Sequence, residues 1–377
     1  MRKTAFITAF NPGNMGMYTV DRAIIDMFAE HKNDYKILCA HSPFKTAYYK
    51  LRHLGINIGI KKRWKEGIVR KDLCTSLDQL NEFERIVFWG DFTLNPEYGF
   101  NDFTEYDERF LLSSSKEESI QRWKKLYSTS DLSSSKIMTF GQNFQSESLV
   151  KGNHLSNELT NIMGGVSIAL PRDSKSLNNL KTLDLANCNI IQACDPAMMK
   201  ITNHNHNDTE NHFVYYFSRS NISSSEKLIS QIADKLQLTP VELKNWNYFQ
   251  GNFESRWQNF NKLIKSSKFV LTDTYHCAVN AISLNKIPLV LSNPAHQQHG
   301  TLGDFKKQIL LRDCHISKYL FETDETGSLT TETQKSILDM ANSLKNTKEE
   351  SIAEKLNHIS KTAESTRQII YDFLEVQ

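Results

Sequence analysis

Short apolar runs alternate with stretches of helical period along most of this chain, and that alternation commits it to parallel sheets assembled from βαβ units. The runs Ala5 to Phe10, Tyr35 to Ala40, Arg85 to Trp89 and Lys136 to Phe140 each close in a polar or glycine-containing turn. Gly165 to Leu170 precedes Arg172, and Asn189 to Gln192 precedes Asp195. A second series follows, with Phe213 to Phe217, a helical pattern from Ser223 to Leu236, Lys268 to Thr272 and Ile287 to Leu291. Ligands of open α/β sheets bind beyond the carboxyl ends of the strands, so the turns are where chemistry is expected.

At 377 residues the chain exceeds one ordinary core and fits two domains, at roughly 150 residues each. The polar, aperiodic stretch His204 to Asn211 is the natural joint. The expected organisation is an α/β domain over 1–204, a linker over 205–211, a second α/β domain over 212–329 and a helical segment over 330–377. That last segment has no Gly or Pro beyond Thr330; docking across both domains, a surface helix and an oligomer contact would all look alike in sequence. A long insertion between Gly90-Asp91 and Lys136 carries Trp123 and Tyr127 between the serine clusters Ser113 to Ser115 and Ser133 to Ser135. It reads as a lid, an acceptor-binding loop or a plain surface excursion.

Charge excludes one class of partner. With 45 basic against 43 acidic residues, and no basic stripe interleaved with aromatics, nothing argues for nucleic acid. The six cysteines are scattered without a CxxC pair, which suggests thiols in a reducing, cytoplasmic compartment. The opening residues read as a first strand, because a signal peptide needs a longer apolar region. No apolar run reaches the ~20 residues of a membrane helix, which leaves peripheral contact at the inner face of a membrane open.

Two turns stand out. In Asn11-Pro12-Gly13-Asn14-Met15-Gly16-Met17 the glycines let backbone approach a ligand ahead of a helix, which suits an anion, or they merely make a tight turn. Neither a Walker loop nor a GxGxxG fingerprint is present. In Phe269 to Ala281 a buried strand breaks into Thr272-Asp273-Thr274 and restarts as a small-residue helix. One of those three residues caps the helix and His276 falls in its first turn, either to bind or protonate an anion or to face the core.

The order in which the turns occur narrows the choice. Gly141-Gln142, Arg172-Asp173 with Ser176, Cys194-Asp195-Pro196-Ala197 and Thr272-Asp273-Thr274-Tyr275-His276 follow one another as in the polysaccharide pyruvyltransferase family. Asn14-Met15-Gly16 resembles its N-terminal N-x-G turn, and Gly90 its glycine pair after the third strand. The resemblance spans Asn14 to Asn293. Met17, the Trp89-Gly90-Asp91 turn, Thr274 and Cys277 depart from common family residues, and the last two bear on donor-site geometry.

The resemblance implies two Rossmann-like domains facing each other across a cleft, a GT-B-like fold, with the acceptor on the first domain, the donor on the second and the active site between. It implies transfer of pyruvate from phosphoenolpyruvate to a sugar hydroxyl pair, on a glycan or lipid-linked precursor, with no cofactor and no metal. Such a reaction needs an acid for the enol carbon, cations for phosphate and carboxylate, and a base for the hydroxyls. His276 is the expected acid or phosphate ligand, and Asp91 the candidate base, or simply a turn aspartate. Arg219, Asn14, Gly16, Thr274 and Lys286 are the candidate donor contacts; Gln142 and Arg172 are the acceptor-side candidates. Arg172 and Asp173 would alternatively pair with each other, and Asp195 reads as structural. The His296 to Gly300 segment reads as a loop. Trp246, Tyr248, Phe249, Phe253 and Trp257 form either a sugar platform or core. Competing functions are a glycosyltransferase using a nucleotide sugar and an inactive relative that binds glycan or a partner protein.

Overall fold

The computed structural model describes residues 1–9, 14–41, 71–74, 77–109, 112–132, 136–199, 210–218, 225–247, 252–294 and 304–376. The chain divides into two compact units: the first holds Met1–Pro12, Val20–Pro196 and Glu364–Gln377, the second Gly13–Thr19 and Ala197–Ala363.

The first unit is built on seven strands: β1 (Thr4–Thr8), β2 (Tyr35–Cys39), β3 (Asp72–Leu73), β4 (Arg85–Asp91), β5 (Lys136–Gln142), β6 (Val166–Leu170) and β7 (Asn189–Ile190). They lie in the order β3-β2-β1-β4-β5-β6-β7 with every pairing parallel. This is a doubly wound sheet whose direction of growth reverses between β1 and β4. All five residues of β1 are buried, as expected of a central strand covered on both faces.

Helix α1 (Met15–Met27) begins in the second unit and continues into the first. The remaining helices of the first unit are α2 (Pro96–Tyr98), α3 (Thr104–Arg109), α4 (Lys116–Tyr127), α5 (Ser156–Ile162) and α6 (Ser174–Lys181). The insertion carrying α4 belongs to the core of this unit. Ser115 caps α4 through the Glu118 amide, while Trp123 and Tyr127 pack in one cluster with Phe88 and Phe103. The Trp123 indole donates to the Thr93 carbonyl at 3.1 Å. A Cβ on Gly99 would stand 2.3 Å from its ring, so a glycine is what admits the indole.

The second unit has strands β8 (His212–Tyr216), β9 (Thr239–Glu242), β10 (Val270–Thr272), β11 (Pro288–Ser292) and β12 (Leu320–Glu322). They are parallel in the order β12-β11-β10-β8-β9. Its helices are α7 (Ser225–Leu236), α8 (Phe253–Ser266), α9 (Tyr275–Ser283), α10 (Phe305–Asp313), α11 (Thr331–Asn346) and α12 (Glu349–Leu374), the last of which passes into the first unit at Glu364. Here the order reverses between β8 and β10, which marks the crevice at their carboxyl ends as the place for a ligand.

The strands that sequence reading did not anticipate, β3, β9 and β12, all stand at sheet edges. An edge strand needs no continuous apolar run, and Thr-Pro-Val-Glu in β9 is largely exposed. The units also depart from the expected linear order. Most of the presumed linker lies outside the described residues, and the division falls at Pro196. The helical tail is two helices separated at Thr347, whose backbone is extended. Lys345 donates to the Leu236 carbonyl at 2.7 Å and Lys286 pairs with Glu349, which attach the start of the tail to the second unit. Arg85 donates to the Phe373 carbonyl at 2.9 Å and Arg2 to Glu375 at 2.8 Å, which attach its end to the first. No disulfide joins the described cysteines. Among the described residues no helix is long and apolar enough to cross a membrane.

Candidate active site

In the second unit, β10 ends at Thr272 beside the reversal point and the chain turns into α9. The Thr272 hydroxyl donates to the Tyr216 carbonyl at 2.8 Å and accepts from the Thr274 amide at 3.0 Å. Asp273 bridges the two strand ends: its carboxylate accepts from the Ser218 amide at 2.9 and 3.2 Å and from the Thr274 hydroxyl at 3.0 Å. Thr274 occupies the N-cap position with extended backbone, yet its side chain takes none of the helix amides. Its hydroxyl instead lies 3.4 Å from that of Ser218, which accepts from the Asn247 amide group at 2.7 Å. The turn is thus a small, hydroxyl-rich and buried junction at the carboxyl ends of β8 and β10.

His276 follows in the first turn of α9 and is 6% exposed. Gly16 lies directly against it, for a Cβ on Gly16 would stand 2.2 Å from the His276 Cβ and 2.6 Å from Cγ. Asn14 holds the glycine there. Its Oδ1 accepts from the Gly16 and Met17 amides at 2.8 and 3.3 Å, and the neighbouring Met15 amide donates to the Trp246 carbonyl at 2.8 Å. These two amides of the N-terminal turn are therefore spent on its own cap, and the glycine makes room for a histidine.

Two lysines that sequence reading passed over attend the same turn. Lys307 is almost wholly buried; its ammonium donates to the carbonyls of Asp273 at 2.9 Å and Leu291 at 2.7 Å and pairs with Asp304 at 2.6 Å. Lys306, also buried, sets its ammonium 5.3 Å from the centroid of the Tyr275 ring, a cation–π distance. In sequence, Lys306-Lys307 is indistinguishable from a solvated pair. Lys286, the expected donor contact, lies ahead of β11, whereas the Thr274 turn follows the carboxyl end of the neighbouring parallel strand. Its ammonium meets Glu349 at 2.6 Å, and burial pulls its pKa down. The sheet therefore separates it from His276. Cys277 is core: burial pushes its thiol up to about 12.

In the first unit the remaining motif residues converge at the carboxyl end of the sheet. Gln142, fully buried, donates to the Gly90 carbonyl at 2.6 Å and accepts from the Thr93 hydroxyl and the Leu94 amide, each at 3.2 Å. Its amide is occupied in joining β4, β5 and the turn after β4. Gly90 and Gly141 both adopt positive φ, and a Cβ on Gly141 would meet Pro196 at 2.3 Å. Arg172, 6% exposed, lies 3.6 Å from Asp173 and 3.6 Å from Asp195, with its guanidinium 5.6 Å from the centroid of the Phe92 ring. Asp173 caps α6 by accepting from the Ser176 amide at 2.8 Å and takes a further bond from Gln145 at 2.8 Å. Burial nonetheless raises its pKa, with Arg172 pulling the other way. The side chains of Gln142 and Arg172 are integral to the packing of these turns. Asp91 closes β4 in register with Gln142, and its side chain lies outside the described residues.

Arg219, the His296 to Gly300 segment, Tyr248 and Phe249 also lie outside the described residues. Trp246, Phe253 and Trp257 are core, packing in ring contacts with Phe260 and Tyr18. Among the described residues no group of three or more His, Cys, Asp or Glu is placed to hold a metal ion.

A family model described as polysaccharide pyruvyl transferase matches residues 22–294, more than half of the chain. No curated protein is significantly similar to it. Among solved structures, a candidate UDP-N-acetylglucosamine 2-epimerase from Listeria monocytogenes is similar over 100% of this chain and 98% of its own, with 9% identity and a TM-score of 0.51. The UDP-GlcNAc 2-epimerase of Methanocaldococcus jannaschii is similar over 98% and 99%, with 10% identity and a TM-score of 0.48. Identity this low speaks to fold alone, and the likeness at a TM-score of 0.51 agrees with two Rossmann-like α/β units followed by C-terminal helices, a GT-B-like fold.

Proposed function

The chain belongs to the polysaccharide pyruvyl transferase family, and from that membership we propose that it transfers pyruvate from phosphoenolpyruvate to two hydroxyls of a sugar as a cyclic ketal. The observation that carries the donor side is His276, seated on Gly16 in the first turn of α9, beside the strand-order reversal and two buried lysines. The positive end of the α9 dipole and the Lys306 ammonium suit the dianionic phosphate and the carboxylate of the donor.

The chemistry assigns the histidine a proton to give. Imidazolium at His276 protonates the methylene carbon of the enol, which leaves an oxocarbenium centre at the carbon bearing phosphate. One sugar hydroxyl adds there and loses its proton to a base. Phosphate departs with the electron pair of its C–O bond, the second hydroxyl closes the ring, and its proton returns to the His276 imidazole. Diol and phosphoenolpyruvate thus become ketal and inorganic phosphate, with no oxidation or reduction.

The test is incubation with phosphoenolpyruvate and a panel of gluco, galacto and mannosamine-type pyranosides, following phosphate release and the mass gained by the sugar. Phosphate release coupled to pyruvylation supports the reading, and no turnover on any acceptor ends it. Thermal stabilisation by UDP or GDP, with none by phosphoenolpyruvate, would replace it with a nucleotide-sugar transferase.

A further inference from the structure

A fully buried asparagine in a helix of small residues needs an explanation, because its amide is costly to desolvate unless both ends are bonded. Asn280 in α9 is such a residue. Its amide nitrogen donates to the His276 carbonyl at 2.8 Å, and its Oδ1 accepts from the Thr19 hydroxyl at 3.0 Å. The Thr19 hydroxyl in turn accepts from the Trp257 indole at 3.1 Å.

Donor and acceptor chemistry allows one direction for this chain of bonds. The His276 carbonyl can only accept, so the NH2 of Asn280 faces it and the oxygen faces Thr19. The indole can only donate, so Thr19 accepts there and spends its proton on Asn280, shared with the Met15 carbonyl 3.0 Å away. Residues from α8, α1 and α9 are thereby tied to one carbonyl, that of His276. The bonds draw the first turn of α1 against α9 at the level where Gly16 meets the histidine.

We propose that the Trp257–Thr19–Asn280 relay is the positioning device of His276, fixing the backbone from which the imidazole reaches the donor. The proposal rests on the reading of His276 as a donor-site group. Thr19 and Asn280 act through the histidine and need not touch substrate.

Thr19→Val keeps the side-chain shape and removes the hydroxyl, whereas Thr19→Ser keeps the hydroxyl. With phosphoenolpyruvate and an accepted pyranoside, Thr19→Val should lose kcat by roughly 10- to 100-fold, the scale of a sub-ångström to ångström misplacement, while the donor KM changes less than about threefold. Thr19→Ser should restore kcat to within about threefold of wild type. Histidine-labelled protein gives a second readout, in which the His276 imidazole signal, identified by its loss in His276→Gln, should move or broaden in Thr19→Val and return in Thr19→Ser. Wild-type kcat together with a wild-type imidazole signal in Thr19→Val would overturn the proposal, as would equal losses in the Val and Ser variants. If the wild-type protein shows no turnover, the donor reading fails and the imidazole comparison alone decides whether the relay positions His276.

Discussion

A Cβ placed on Gly16 would stand 2.2 Å from the Cβ of His276. No side-chain rotation relieves a clash between two Cβ atoms, so backbone must move. Gly16→Ala should cost about 1–3 kcal/mol, the usual range for overpacking a tight contact, and should depress turnover more than the stability loss explains. Urea unfolding alongside phosphate-release kinetics checks both; unchanged stability would mean that α1 and α9 are not in contact.

His276→Gln keeps a polar side chain and removes the acid. Loss of a general acid should lower kcat by roughly 10²- to 10⁴-fold, with the thermal midpoint close to wild type. Retained kcat would remove the histidine from the chemistry.

The two lysine candidates separate cleanly. Lys306→Met should raise the donor KM by about tenfold or more, the scale of one charge-assisted bond. Lys286→Met should leave the donor KM within about twofold, because the lysine pairs with Glu349 at the opposite end of the sheet and loses mainly stability. The reverse pattern in steady-state kinetics would reassign the donor cation.

Gln142 is expected to matter through folding. Gln142→Met strands the Gly90 carbonyl and the Leu94 amide in the interior, at about 1–3 kcal/mol for buried polar groups left unpaired. The fraction that remains folded should keep wild-type kcat, as counted by active-site titration. A kcat loss at full folding would make the glutamine an acceptor contact after all.

A pH effect on stability is built into the first unit. The His41 ring donates from Nε2 to the Asp107 carboxylate at 3.1 Å, and that carboxylate also meets Arg122, Ser113 and Ser119. Burial lowers the His41 pKa, the carboxylate of Asp107 opposes the shift and Arg122 adds to it. The fold thus prefers the neutral ring. That contribution is complete above the ordinary value of 6.5 and is lost as pH falls through the lowered folded value. Urea unfolding at pH 7.5 and 5 should show a fall in stability that is smaller in His41→Gln; an identical fall would place the titrating group elsewhere.

Sequence alone determined the alternation of strand and helix, the strand ends at which polar turns gather, and the ordered motifs that point to the family. Those signals are legible because a buried parallel strand must be an unbroken apolar run, and a turn at its end must be polar or glycine-rich. The edge strands β9 and β12 were not legible, because each satisfies one neighbour and needs little burial.

Within the site, His276 could be picked out by its position after Thr272-Asp273-Thr274, but the uses of its companions could not. Gly16 and Gln142 carry strong local signals, yet which atoms they touch is decided by segments distant in sequence. Tertiary structure placed Gly16 against His276, closed Gln142 onto Gly90, set Lys286 at the opposite end of the sheet and brought Lys306 to Tyr275. A single residue records its own chemistry and its local period. Whether a lysine faces a ligand or a glutamate depends on which end of a strand it follows and on which helices pack there, and only the folded chain sets that.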